Sequence, residues 1–320
     1  MPISLVYLQQ CATATGFIPA TLEKVSRLGE LAGAIARHPL LGKSLVLKGG
    51  TAFNLCFGEA PKRLSVDLDY NYIAHTDREI MLQQRPEIEE AIITLAERLG
   101  FRTQQSKDSF AGRKVYANYS SVLGHDSRVE IDLNYLWRMP IAGIETRELW
   151  QPGELDRPVI TVVSLQELCI GKILALLDRS AARDAWDIMR FSVIAAKIIQ
   201  SDSFRRLFIA FSATLPHPLH TYTHEHLAAR LTENNINEQL LPMLQDSTNI
   251  TRDSLLENAL EIVDPFITLK SQEREYIDLI HRGKINTRLL FPDDIEMASL
   301  IADHPAISWK VFNVNQTQRR

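Results

Sequence analysis

The fold of this chain is decided by two nearby segments, Lys48-Gly49-Gly50-Thr51 and Arg63-Leu64-Ser65-Val66-Asp67-Leu68-Asp69. The apolar residues of 44–48 predict a strand that ends in a tight turn at the glycines. Residues 51–57 then predict a short helix that stops at a glycine. The second segment alternates apolar and polar residues over 64–70, which predicts a half-buried strand.

The glycine pair is a candidate phosphate-binding turn. Because Gly49 and Gly50 carry no β-carbon, their backbone N–H groups can approach a ligand closely. A helix N-terminus favours negative charge, and Thr51 adds a hydroxyl at the same place. The alternative is an ordinary strand–turn–helix that needs glycine only for its dihedral angles, and the turn alone does not exclude it.

Two carboxylates follow on the next predicted strand. Asp67 and Asp69 are two residues apart, so they share one face and lie about 6.5–7 Å apart along the strand. Val66 and Leu68 then point into the core. Like charges side by side on a strand cost stability unless a cation binds them. Such an oxygen-rich pair suits Mg²⁺, although two solvent-facing acids on a surface strand are the simpler alternative.

A further acidic strand supports a metal site. Residues 113–120 and 128–136 predict two strands joined by a hairpin at 124–126. Glu130 and Asp132 occupy the polar face of the second of these strands. If this strand lies beside the strand of Asp67, a third carboxylate completes a site for two metal ions. We favour Asp132 over Glu130, while the sequence leaves open which of them is level with Asp67.

The second half of the chain reads as helical. Ser164 and Glu167 form a capping box that opens a helix to about residue 179, and a second helix is expected over 181–199. Earlier, a helix is expected over 86–99, with Pro86 in its first turn.

Three charged residues of this half are candidates for a site. Lys172 interrupts the apolar face of its helix, which costs free energy unless its ammonium reaches solvent or meets an anion. Asp184 and Asp187 are three residues apart and share roughly one helix face. Ion pairs on a helix surface are the alternative for both aspartates.

Length and composition set broader limits. The 320 residues suggest two domains, 1–160 mixing strands with helices and 161–320 helical. A net charge of −4 argues against a surface that is basic throughout. Three distant cysteines predict a reducing compartment, and neither a signal peptide nor a membrane span is expected. We therefore expect a cytoplasmic protein that does not bind membranes.

A histidine cluster falls outside these patterns. His217, His220, His224 and His226 lie within ten residues, and imidazoles are good zinc ligands. The surrounding prolines and threonines instead favour a solvated loop that enters a helix.

In order along about residues 40–190, these motifs resemble the AbiEii family of nucleotidyltransferase toxins, which includes abortive-infection toxins and MenT-type toxins of mycobacteria. The resemblance implies an α+β fold, with a polymerase-β-like nucleotidyltransferase core around a mixed sheet. A mainly helical C-terminal domain would follow and would contribute Lys172 and Asp187 to the site.

The resemblance also implies roles for individual residues. The catalytic residues would be Asp67, Asp69, Lys172 and Asp187. The metal ligands would be Asp67, Asp69 and Asp132. The nucleotide-binding residues would be Lys48, Gly49, Gly50, Thr51, Arg63, Ser65 and Asp184.

The implied activity is transfer of a nucleoside monophosphate from an NTP to an acceptor hydroxyl, with Mg²⁺ or Mn²⁺ as cofactor. A tRNA 3′ end is the expected acceptor, its modification would block translation, and an antitoxin encoded nearby is the expected protein partner. One alternative is the same chemistry on a small molecule or a protein. Another is a catalytically silent scaffold that binds a partner.

Overall fold

The computed structural model of the chain describes residues 3–109, 111–248 and 250–318. The chain divides into two compact units, one formed by residues 1–164 with 241–248 and the other by 165–240 with 249–320. The short segment 241–248 returns to the first unit, where the backbone N–H of Leu64 donates to the Met243 carbonyl over 2.7 Å.

Within the described residues, one seven-stranded mixed sheet forms the centre of the first unit. Its strands are β1 (Leu45–Lys48), β2 (Asp67–Tyr72), β3 (Arg102–Gln105), β4 (Gly112–Ser120), β5 (Asp126–Asn134), β6 (Ile144–Glu148) and β7 (Val159–Val163). Their order across the sheet is β3-β4-β5-β2-β1-β7-β6. The pairs β2–β5 and β1–β7 are parallel and the other pairs are antiparallel. The predicted mixed sheet and the hairpin of β4 and β5 are thus confirmed.

Among the described helices of the first unit, three precede β1 in the sequence and two lie between strands. They are α1 (Leu5–Thr15), α2 (Pro19–Arg37), α3 (Leu41–Ser44), α4 (Gly49–Cys56) and α5 (Arg78–Arg98). The expectation that a helix begins at Pro86 was wrong, because α5 begins eight residues earlier and contains Pro86 in its interior. The Asp77 side chain caps the helix by accepting from the Ile80 N–H over 2.9 Å.

Helices α2 and α5 pack on one face of the sheet. Arg27 of α2 lies 5.3 Å from the ring centroid of Tyr119 on β4, and Arg85 of α5 lies 4.7 Å from that of Tyr135. The residues that face these helices are buried: Val115, Ala117, Tyr119, Val129, Ile131 and Leu133. Because side chains alternate along a strand, the even-numbered residues of β4 and β5 point to the opposite face.

Strand β2 differs from its prediction at both ends. It begins at Asp67 rather than at residue 64 and continues to Tyr72. Leu68 is fully buried, as expected, whereas Val66 is half-buried and lies outside the strand. The cause is a different partner for the preceding residues, since Arg63 forms a β-bridge with Leu244 instead of extending the strand.

The described elements of the second unit are helical. Its α-helices are α6 (Leu165–Arg179), α7 (Ala182–Met189), α8 (Phe191–Ile194), α9 (Ala196–Ile199), α10 (Asp202–Ser212), α11 (His224–Arg230), α12 (Glu233–Asn235), α13 (Arg252–Ile267), α14 (Ser271–His281), α15 (Ile295–Ala302) and α16 (Pro305–Gln318). Helix α6 begins where the capping box predicted.

The single helix expected over 181–199 was wrong. Helix α7 ends at Met189, and the N–H of Arg190 bonds to the carbonyls of Asp187 and Ile188. Ala195, with φ −133° and ψ 16°, then separates the single turns α8 and α9. The residues of this segment keep a helical periodicity in sequence, but the backbone dihedral angles at Ala195 are not helical.

In the parts of the chain that the structure describes, no helix combines the length and the apolar character needed to cross a lipid bilayer.

Candidate functional site

Four carboxylates lie on one face of the first unit's sheet. In the parallel β2–β5 ladder, Asp69 is directly opposite Asp132, and Asp67 is directly opposite Glu130. Residues directly opposite each other in a ladder point to the same side, about 4.8 Å apart in the direction of the hydrogen bonds. The sequence left open which acid is level with Asp67, and the register shows that it is Glu130, while Asp132 is level with Asp69.

The electrostatics of Asp132 reflect this crowding. Burial raises the pKa of Asp132 above its usual value, and the charge of Asp69 raises the pKa further. Lys114 and Lys48 act in the opposite direction by favouring the ionised form. The four carboxylates thus carry concentrated negative charge that two lysines balance only in part.

Lys114 is a member of this group that the sequence interpretation missed. It lies opposite Asp132 in the β4–β5 ladder, with its Nζ 3.4 Å from Glu130 Oε2 and 3.7 Å from Asp132 Oδ2. Burial lowers the pKa of Lys114, but the charges of Asp132 and Glu130 outweigh burial and raise it. The signal was available in the predicted hairpin, whose antiparallel pairing places Lys114 beside these acids.

The glycine turn lies directly against the carboxylates. Gly49 has φ +75°, and a β-carbon built on it would stand 2.1 Å from Asp69 Oδ2. Helix α4 begins at this glycine, and Lys48 pairs with Asp69 in the β1–β2 ladder. Thr51 is fully buried, and its hydroxyl donates to the Asp67 carbonyl over 2.5 Å. This hydrogen bond therefore fixes the position of the turn relative to the start of β2.

Two other predicted nucleotide-binding residues precede β2. Arg63 is 2% exposed, and its Nη1 donates to the Leu64 carbonyl over 2.9 Å. Ser65 is half-buried. The guanidinium of Arg63 thus stabilises the segment that enters β2, a structural role beside the predicted one.

The chemistry of these donors fits a divalent cation. Carboxylate oxygens are the ligands that Mg²⁺ prefers. The Asp69 carboxylate can lie against the turn because residue 49 is glycine. Among the described residues, no three His, Cys, Asp or Glu side chains by themselves enclose a metal ion. Mg²⁺ keeps several waters and takes further oxygens from substrate phosphates, so it does not need a closed protein cage.

The second unit contains a buried ion cluster. Lys172, whose side chain is 7% exposed, has its Nζ 3.2 Å from Asp184 Oδ1 and 2.6 Å from Asp187 Oδ2. Both aspartate side chains are fully buried, and Arg179 Nε donates to Asp184 Oδ2 over 2.7 Å. Lys172 therefore meets anions rather than reaching solvent, and the interpretation of both aspartates as surface residues is wrong.

Asp184 is ionised in this cluster. Burial raises the pKa of its carboxyl, but the charge of Lys172 and the hydrogen bonds from Arg179 outweigh burial and lower the pKa. An ionised carboxylate in so dry a place needs these cations, because an uncompensated buried charge costs several kcal/mol.

The histidine cluster divides among separate contacts. His224 begins α11, with its Nε2 2.5 Å from Asp264 Oδ1. The rings of His226 and His217 lie against Tyr222 at centroid distances of 5.4 and 6.4 Å. Here too, the described part of the chain contains no group of three or more His, Cys, Asp or Glu side chains that could hold a metal ion. These contacts agree with a loop that enters a helix.

A strand, a glycine turn and a helix lie beside paired carboxylates on a mixed sheet, which is the arrangement expected of a nucleotidyltransferase. A family model described as "Nucleotidyl transferase AbiEii toxin, Type IV TA system" matches residues 33–262. The chain therefore belongs to the AbiEii family, the nucleotidyltransferase toxins of type IV toxin–antitoxin systems, and the predicted family is confirmed.

One solved structure shows the same fold. MenT4, a nucleotidyltransferase toxin from Mycobacterium tuberculosis, superimposes with a TM-score of 0.61 at 17% sequence identity. The match covers 94% of this chain and 98% of that chain. A comparison with curated proteins finds no match. The predicted α+β fold is thus confirmed.

Proposed function

We propose that this toxin transfers a nucleoside monophosphate from an NTP to the 3′ end of a tRNA, and that the reaction depends on Mg²⁺ or Mn²⁺. The observation that carries the proposal is the register of Asp69 with Asp132, beside a turn in which Gly49 leaves room at the Asp69 carboxylate. Family membership supports the transferase chemistry. The tRNA acceptor rests on the resemblance to MenT-type toxins.

Nucleotidyl transfer exchanges one phosphorus–oxygen bond for another at the α-phosphorus. The acceptor hydroxyl oxygen forms a bond to the α-phosphorus, and the bond from that phosphorus to the α,β-bridging oxygen breaks. Pyrophosphate leaves with the electron pair of that bond. The hydroxyl proton passes to a carboxylate of the β2–β5 face, for which Asp132 is the candidate because it lies directly opposite Asp69 in the ladder.

Different residues of the first unit bind the phosphates and the cation. Backbone N–H groups of the Gly49-Gly50 turn and the start of α4 bind phosphate oxygens, and Lys48 adds positive charge beside them. Asp67, Asp69 and Asp132 would hold the divalent cation. When bound, such a cation neutralises charge that develops on the phosphates during the transfer.

We also propose that Lys172, at the triphosphate of the NTP, and Asp187 are catalytic residues and that Asp184 serves nucleotide binding, as the resemblance to the family implies. Their buried ion cluster equally supports a structural role in the second unit. The two roles differ in what a Lys172 variant loses, the affinity for NTP or the stability of the second unit.

The biological consequence would be a block of translation. A nucleotide added to a tRNA 3′ end prevents aminoacylation and so stops growth, in the cytoplasm where tRNA is charged. Family membership implies an antitoxin, which we expect to be encoded by the adjacent gene.

The direct test is labelling of acceptors. The protein is incubated with each of the four NTPs labelled at the α-phosphate, with Mg²⁺, Mn²⁺ or EDTA, and with total tRNA, an aminoglycoside or a protein mixture. We expect labelled tRNA only when a divalent cation is present. Label on the small molecule or on protein would support those acceptors instead, and folded protein that labels no tRNA with any NTP would contradict the tRNA claim.

A growth assay separates catalysis from partner binding. We expect expression of the wild-type chain to stop growth and Asp69→Ala to relieve it. Growth inhibition that persists in folded Asp69→Ala would favour the catalytically silent scaffold.

A further inference from the structure

The face of the sheet opposite α2 and α5 is open along β3, β4 and β5. Its residues on these strands are half-buried or exposed, and they are polar, charged or aromatic: Arg102 and Gln104 on β3, Lys114, Tyr116 and Asn118 on β4, and Arg128, Glu130 and Asp132 on β5. We call these eight residues the open face. The neighbouring positions of β4 and β5 point to the buried face and are fully packed. The core therefore does not require Tyr116 or Arg128.

Tyr116 and Arg128 form a stacked pair on the open face. The guanidinium carbon of Arg128 lies 4.9 Å from the centroid of the Tyr116 ring. Glu130, directly opposite Tyr116 in the ladder, holds that guanidinium through a contact of 3.1 Å between Arg128 Nη2 and Glu130 Oε1. Two planar side chains are thus fixed on a surface where solvent has access.

The pair continues directly from the carboxylates. Tyr116 is two residues from Lys114, so it lies about 6.5–7 Å farther along β4 on the same face. Lys114 itself contacts Asp132, the carboxylate level with Asp69. A polymer whose end reaches Asp69 and Asp132 would therefore pass over the open face with its next residues at Tyr116.

The chemistry of the open face fits unpaired nucleotides. Aromatic rings and arginine planes stack on nucleobases, which every base permits because each has a π-face. On either side of the stacked pair, Arg102 pairs with Asp126, and Lys114 contacts Glu130 and Asp132. Because carboxylates balance these cations, it is the stacked pair rather than net charge that favours a polynucleotide over a small molecule such as an aminoglycoside.

We infer that the open face binds the unpaired 3′-terminal nucleotides of an RNA acceptor, with one base stacked on Tyr116 and Arg128. This inference rests on the proposed nucleotidyl transfer to RNA and assigns the surface that presents the acceptor end to the carboxylates.

The test compares kinetic constants of variants. Tyr116→Ala should raise KM for the RNA acceptor about tenfold, within the range of base–aromatic stacking, while KM for the NTP stays within about twofold. Tyr116→Phe keeps the ring and should behave like the wild type. Arg128→Gln should raise the RNA KM in the same direction.

Arg147→Gln provides the matched control. Arg147 on β6 also lies 4.9 Å from an aromatic centroid, that of Phe57, and also pairs with a glutamate, Glu145. Its removal should leave both KM values unchanged. An RNA KM that is unchanged in Tyr116→Ala and Arg128→Gln, or raised as much by Arg147→Gln, would overturn the inference. Thermal unfolding of each variant checks its folding, and Arg128→Gln carries the test if Tyr116→Ala does not fold.

A binding measurement separates this inference from the proposed function. If the wild type transfers no nucleotide, the proposed function fails, and fluorescence anisotropy with a labelled single-stranded six-nucleotide RNA decides the inference. Binding that weakens in Tyr116→Ala but not in Arg147→Gln would support an RNA surface. Equal binding by the wild type and Tyr116→Ala, or tighter binding of a duplex of the same length, would contradict it.

Discussion

Gly49 and Asp69 are in such close contact that a β-carbon on residue 49 would lie 2.1 Å from Asp69 Oδ2 and 2.9 Å from its carboxyl carbon. The φ of +75° at Gly49 independently favours glycine. This contact joins the turn that we expect to bind phosphates to the carboxylate that we expect to bind the cation. Movement of either group would therefore displace the other.

We predict that Gly49→Ala abolishes nucleotidyl transfer, because the new methyl group must displace the Asp69 carboxylate. Gly100→Ala is the matched control, since Gly100 also has positive φ, +83°, but has open space where its β-carbon would be. Both variants should lose about 1 kcal/mol of stability from the strained backbone. Steady-state transfer rates should fall by a factor of about 100 or more only for Gly49→Ala. Similar rates for the two variants would show that the contact has no catalytic role.

The strand register predicts unequal roles for two neighbouring acids. Asp132→Asn should lower kcat about 100-fold or more, because Asp132 is level with Asp69 and would share the cation and the acceptor proton. Glu130→Gln should lower kcat by less than about tenfold, since Glu130 lies opposite Asp67 and already pairs with Lys114 and Arg128. Single-turnover rates at saturating Mg²⁺ would measure both. A larger loss for Glu130→Gln would reverse the assignment.

The buried ion cluster of Lys172, Asp184 and Asp187 predicts that removal of its cations lowers the stability of the second unit. Lys172→Met should destabilise it by about 3–5 kcal/mol, because two buried aspartates lose their shared cation. Arg179→Gln should cost about 1 kcal/mol, since the Arg179 side chain is half exposed and Lys172 still neutralises Asp184. Urea unfolding followed in this unit would measure both changes. Full stability of Lys172→Met together with a raised KM for NTP would assign Lys172 to substrate binding instead.

His281, the last residue of α14, predicts a pH dependence of stability. Burial lowers the pKa of His281 to about 4 in the folded chain, from an ordinary value of 6.5, and the charge of Lys310 lowers it as well. Between these values the unfolded chain binds a proton that the folded chain does not, so stability falls as the pH drops from 6.5 towards 4. His281→Gln should flatten this part of the Tm–pH profile. Parallel profiles for the wild type and the variant would contradict the assignment.

The parts of the structure that the sequence predicted are local. The glycine turn, the alternation of Asp67, Leu68 and Asp69, and the helix start after Ser164 each depend on residues within a few positions of one another. Local propensity and side-chain alternation determine such features, so a single sequence carries enough information for them.

The parts that the sequence did not predict depend on distant contacts. Asp132 lies directly opposite Asp69 because β2 and β5 pair in parallel, although the two residues are more than sixty positions apart. No local sequence pattern encodes such a pairing. Strand β6 was not predicted, because it is an exposed edge strand that carries charged residues such as Arg147. Residues 241–248 join the first unit only through tertiary contacts.

The central claim is that this chain transfers the α-phosphate group of an NTP, with Asp69 as a required residue. The most direct measurement compares an NTP labelled at the α-phosphorus with one labelled at the γ-phosphorus, incubated with Mg²⁺, total tRNA and either the wild type or Asp69→Asn. The account predicts tRNA labelled from the α-position alone and only by the wild type, with label from the γ-position released in pyrophosphate. Label transferred from the γ-position, or equal labelling by folded Asp69→Asn, would contradict it.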